Sequence, residues 1–287
     1  MDVVNELRAR VGAVIFARVA GDDGPARRDH IHGAEGVRRF APDDPVCRVH
    51  GDASMFIGGL RALLLQSLHP LAMAAVDEHS GFRGDPWGRL QRTSTFLAET
   101  TFGTVDDADR AVALVRAVHE HVRGTAPDGR PYAASDPHLL RWVHVAEVDS
   151  FLRAHDRYGS ATLRPDERDA YVAQAAVVAR ALGASDVPTS VRELDDALAQ
   201  FRPELAGTEA ARRTARFLLV HPPVPLALRL PYGLLSAAAV AMMPRWSRLP
   251  LRLPYLPVTE ATAVRASGVV VTSGIRWALR PTPPNDA

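Results

Sequence analysis

Apolar residues recur at three- and four-residue spacings along most of the chain, the period of a helix with one buried face. This pattern predicts helices over about 3–19, 56–79, 86–102, 105–123, 137–158, 165–183, 190–202, 208–221, 232–243 and 258–279. Alternation of the hairpin kind is almost absent, and Asp128-Gly129 is placed in a short loop between apolar flanks. Several helix starts are readable: Thr104 or Asp106 before ADRAVALVRAVHEHV, Ser135 or Asp136 before PHLLRWVHVAEV, and Arg164-Pro165-Asp166-Glu167 before RDAYVAQAAVVARAL. A side-chain oxygen there accepts from a free backbone N–H, and proline at the first helical position loses no hydrogen bond. Gly124 and Gly183 occupy expected C-caps, and Pro70 should bend the 56–79 helix just after His69. The proline-rich stretches 221–233 and 243–257 read as surface connectors. With no internal repeat and no domain boundary, the expectation is an all-α fold, one large domain of about ten helices over residues 1–287.

Composition narrows the function. Of the 287 residues 47% are hydrophobic and 23% charged, enough to bury a substantial core and unlike a disordered chain. All 34 basic residues are arginine, and the formal net charge is only +1. Arginine alternates with Asp and Glu instead of forming a basic stripe, so no nucleic-acid partner is expected. Cys47 is the single cysteine, which excludes an intrachain disulfide, a Cys-rich zinc site and a Cys-ligated cluster. Glu6, Arg8, Arg10 and Arg18 interrupt the N-terminal apolar run, and Tyr232–Met243 is shorter than the roughly 20 residues a bilayer requires. A cytoplasmic location is the expectation. The 223–257 region interleaves Leu, Tyr232, Trp246 and Tyr255 with arginines; this suits a membrane surface, but packing on the protein's own core explains the same residues and is preferred.

GxSxG, HExxH, Walker-type and dinucleotide-binding motifs are missing, as is a pair of Glu-x-x-His helices for a di-iron centre. What remains is a set of histidines on apolar helix faces, where a neutral imidazole can ligate a metal. His119 shares a face with Ala111, Val115, Val118 and Val122; His144 with Leu140, Val143, Val148 and Phe151; His69 with Ala62, Leu65, Gln66, Ala72 and Met73. A lone histidine on such a face is more often a hydrogen-bonded core residue, and Trp142 reads as core packing.

The run LLLQSLHPLAMAAVDEHSGFRGDP, then GRLQRTSTFLAETTFGT, VRAVHEHVRG and GRPYAASDPHLLRWVHVAEVDS, resembles the helical domain of latex-clearing proteins (rubber oxygenases) and of a related actinobacterial group of oxygenase-like proteins, most closely the latter. The likeness is strongest over residues 45–180. It implies a globin-like pocket holding a b-type haem, with a histidine as iron ligand and an Arg-x-x-x-Thr helix along its wall. Arg89 and Thr93 match that pair, and His119 stands where the family has its proximal histidine. Arg92 replaces a lysine that in rubber oxygenases reaches the iron; a guanidinium stays protonated and does not ligate. The distal side is then open, water-bound or filled by another group, for which His69, His79 and His144 are candidates. Arg89 suits a haem propionate, and Thr93 offers a hydroxyl to a bound oxygen ligand. The resemblance thus implies a haem b-dependent oxygenase acting with dioxygen or peroxide on an apolar small molecule, rubber itself excepted. A haem carrier or sensor, or a binding module without turnover, is the alternative.

Overall fold

The computed structural model describes residues 3–79, 86–222 and 224–280. The SGFRGD part of the family-like motif, residues 80–85, lies outside them. The fold is all-α. The chain runs through α1 (Val3–Ala20), α2 (Gly24–Gly33), α3 (Pro45–His50), α4 (Met55–Gln66), α5 (Pro70–His79), α6 (Pro86–Phe102) and α7 (Val105–His121). A two-stranded antiparallel ribbon follows, β1 (Arg123–Thr125) with β2 (Pro131–Ala133). Then come α8 (Pro137–Tyr158), α9 (Pro165–Leu182), α10 (Val191–Phe201), a 3-10 turn at Arg202–Glu204 and α11 (Glu209–Leu219). The chain ends with α12 (Arg229–Ala241), α13 (Arg245–Arg248), α14 (Pro257–Thr259), a π-helical turn at Glu260–Val264 and α15 (Arg265–Leu279).

The capping chemistry is local and was readable. Thr104 accepts from the Asp107 N–H, and Asp136 accepts from the His138 N–H ahead of Pro137. Gly183 ends α9 at φ 106°, in the left-handed region that glycine enters without strain. The Pro70 bend is a break: α4 and α5 meet at 106°. Gly124 is no cap. It pairs with Tyr132 in the ribbon, where a Cβ would fall 2.5 Å from the tyrosine oxygen. Asp128-Gly129 therefore closes a hairpin that the weak alternation of three-residue strands did not signal. Residues 221–233 are not all connector, because α12 begins at Arg229 and holds Pro231 in its first turn, where no intrahelical N–H partner is lost.

The centre of the molecule is α8 crossing α4. Trp142, Val145, Ala146 and Leu152 are completely buried, with Leu64, Leu65 and Tyr171 in the same cluster. Gly58 allows the close approach, since a Cβ there would sit 2.9 Å from Phe151 Cδ1. The same interface buries an ion pair, Arg61 to Asp149 at 2.7 Å, with Arg61 also donating to Ser150 Oγ at 2.7 Å and to the Met242 carbonyl at 3.0 Å. A second cluster, Ile57, Tyr158, Ala238, Ala239 and Ile275, joins α12 and α15 to this core. Among the described residues no single helix is long and apolar enough to cross a membrane. In the 223–257 region Met243 and Leu251 are buried and Trp246 packs on the main cluster, while Leu226, Leu230 and Leu249 remain exposed.

Candidate functional site

Helices α6, α7, α9 and α3 pack each on the next and back to α6, and α8 lies against α9 and α3. This ring holds a concentration of imidazoles. On α3, His50 is enclosed, its Nδ1 at 2.9 Å from Thr101 Oγ1 and its Nε2 at 3.4 Å from the Tyr171 hydroxyl. Burial pulls its pKa down to about 3, so the ring is neutral.

His119 and His144 differ from His50 in one respect. His119 Nδ1 and His144 Nε2, like His155 Nδ1 on α8, are buried and have no hydrogen-bond partner among the described residues. Arg116, one turn before His119, donates to the Ala181 carbonyl at the end of α9 at 3.2 Å, and the Arg180 charge bears on His144. Burial lowers the pKa of His119, and burial followed by Arg180 lowers that of His144 to about 4. Each ring is therefore unprotonated near neutrality and presents a lone pair. Buried polar atoms are nearly always paired, so each such nitrogen needs an occupant or an explanation. Neutral imidazole nitrogens are good donors to a transition metal, and the pair fits a haem iron in donor type.

Glu147, one turn beyond His144, has no hydrogen-bond or ion-pair partner among the described residues. Burial alone pushes its carboxyl up to about 7, and its charge acts on the Tyr171 hydroxyl. Sequence reading passed over Glu147 and His50. The signal for Glu147 was its three-residue spacing from His144; for His50 there was none beyond its presence in a short helix.

The three α6 residues do not share one environment. Arg89 is half-buried, and burial followed by the Arg92 charge lowers its pKa. Arg92 and Thr93 are exposed, and the Thr93 hydroxyl donates to the Arg89 carbonyl at 3.0 Å. The threonine proton is thus held within the helix, as is common for this residue four positions on.

His69 belongs elsewhere. Its ring lies 6.1 Å from Trp142 and 6.4 Å from Phe201, and its Nε2 is 3.4 Å from Glu204 Oε2. Trp142 and His144 are two positions apart, about 200° around the helix, so the structure places His69 and His144 on opposite sides of α8. His79 is taken up by the Tyr132 hydroxyl at 3.0 Å, which also donates to Glu78. Trp142, fully buried, is core packing as expected.

The family described as ER-bound oxygenase mpaB/B'/Rubber oxygenase, catalytic domain, matches residues 47–277, from α3 to α15. No curated protein and no solved structure matches the chain significantly.

Proposed function

Since the chain belongs to the mpaB and rubber oxygenase catalytic-domain family, we propose that this enzyme is a haem b-dependent oxygenase whose cofactor is held at His119 and His144. The observation that carries this reading is the pair of enclosed, partnerless and unprotonated ring nitrogens, His119 Nδ1 and His144 Nε2. When bound, the haem supplies activation of dioxygen or peroxide, and the protein supplies everything around it. His119 on α7 and His144 on α8 would supply the imidazole donors that hold it. Arg89, half-buried and cationic, pairs with a propionate carboxylate through its planar fork. Arg92 does not donate to a metal; it adds positive charge beside Arg89. Thr93, whose hydroxyl donates to the Arg89 carbonyl at 3.0 Å, would add a polar group beside Arg89.

Glu147 adds a proton-transfer group. A carboxyl with a pKa of about 7 is close to half protonated at neutral pH, so it can accept or give a proton with little driving-force penalty, whereas His144 at about 4 stays neutral. The largely apolar setting of these helices suits an apolar small organic substrate.

The test is an absorption spectrum of protein purified from cells supplied with iron and a haem precursor, with a pyridine haemochrome assay. A Soret band at one haem per chain is expected, strongly reduced in His119→Ala with helix content unchanged by circular dichroism. Absence of the band after reconstitution with hemin sinks the haem assignment. Thr93→Val should keep the band and lower turnover.

A further inference from the structure

The geometry points to a divalent transition-metal site at His69, His138 and Glu204, separate from His119 and His144. The three ligands come from distant parts of the chain: the elbow between α4 and α5, the first turn of α8, and the 3-10 turn after α10. Their ligand atoms all lie within 4.8 Å of one another. Glu204 sits between the rings, with Oε2 at 2.8 Å from His138 Nε2 and 3.4 Å from His69 Nε2. A tetrahedral zinc site with bonds of about 2.0–2.2 Å has ligand edges of roughly 3.3–3.6 Å, so these separations need only small side-chain adjustments.

Rigidity and access both favour a cation. His69 is 1% exposed and wedged against Trp142 and Phe201. His138 stacks on the same Phe201, ring centres 4.7 Å apart. One aromatic residue therefore orients both imidazoles before any ion arrives. His138 and Glu204 keep 49% and 38% of their side-chain surface accessible, so an ion enters from solvent without unfolding anything. Leu68, Pro203 and Leu205, the chain neighbours of two ligands, line a cleft of about 470 Å³ that also exposes Arg202 and Trp246. Two imidazoles and one carboxylate form a donor set of intermediate softness, which selects ions of the zinc class over calcium or magnesium. The remaining coordination position falls to water.

Without metal, the same groups form a hydrogen-bonded clip. His69 Nδ1 accepts from the Ala72 N–H at 3.5 Å, the outer limit of such a contact, which puts the ring proton on Nε2 and aims it at Glu204. A cation bound at Nε2 shifts that proton to Nδ1, which can then no longer accept from the Ala72 N–H.

The experiment is equilibrium dialysis of the chelator-stripped full-length protein against Zn²⁺, followed by thermal melts. Wild type is expected to hold a zinc ion that raises its melting temperature. His138→Ala and Glu204→Gln, both at exposed positions, should each weaken that binding at least about tenfold and abolish the zinc-dependent rise, whereas His119→Ala should retain it. The proposal is overturned if both variants bind zinc as wild type does, or if His119→Ala removes it instead. Haem occupancy, read at the Soret band, should be unchanged in His138→Ala and Glu204→Gln, so the two assignments stand or fall separately.

Discussion

Glu147→Gln isolates the cost of one enclosed carboxylate. The ordinary pKa of this carboxyl is 4.5, and burial raises it to about 7. Below about pH 4.5 the group is neutral in both folded and unfolded chains and costs nothing. Between 4.5 and 7 the unfolded chain has released its proton while the folded chain holds it, so stability falls as pH rises. Above 7 the penalty is complete. At 1.36 kcal/mol per pKa unit, a gap of about 2.5 units amounts to roughly 3 kcal/mol, an upper figure because Glu147 keeps part of its surface accessible. Glutamine has no charge to bury, so the variant should gain up to about 3 kcal/mol over wild type at pH 8 relative to pH 4.5. With an unfolding entropy of about 2.1 cal/mol/K per residue, this corresponds to about 5 °C in melting temperature. The assay is urea unfolding of both proteins, without added hemin, at pH 4.5, 6, 7 and 8. The unpaired amide costs the same at every pH and cancels from the comparison. A stability difference that does not change with pH would refute the reasoning and remove Glu147 from its proton-exchanging role.

Two further predictions concern the α4–α8 crossing. Arg61→Leu leaves buried Asp149 with the half-buried Arg153, at 3.2 Å, as its remaining cation and should cost up to about 3–5 kcal/mol in denaturant unfolding, with Arg61→Leu/Asp149→Leu recovering most of it; a single-variant cost below about 1 kcal/mol would show that Arg153 or water compensates the charge. Gly58→Val places a side chain where Phe151 Cδ1 already lies 2.9 Å from the Cβ position, so melts should show a loss of at least about 1–3 kcal/mol by overpacking, and an unchanged melting temperature would mean the two helices separate freely.

The haem and zinc assignments use different faces of one helix. α8 carries His138 and Trp142 toward His69 and Phe201, and His144 and Glu147 toward α9. Its twenty-two residues, Pro137–Tyr158, are therefore both the core of the fold and the divider between the two candidate centres.

The sequence by itself determined most of the longer helices, the starts at Thr104 and Asp136, the stop at Gly183 and a bend at Pro70, while α2 and α3 went unread. These depend on hydrogen bonds and side-chain periodicity among residues a few positions apart, all visible in a short window. It also set His119 and His144 on faces with apolar neighbours, although Val118 and Val143 of those faces are exposed in the structure. The tertiary structure alone decided that His69 and His144 stand on opposite sides of α8, since each was equally apolar in its surroundings and only the crossing of α4 over α8 separates them. It alone brought Glu204 to His69 across 135 positions of chain. It also left half-buried Glu147 without a counter-charge among the described residues, and it folded residues 123–133 into a ribbon too short for alternation to announce. Such juxtapositions arise from how helices cross and loops close, and no local pattern of residues encodes them.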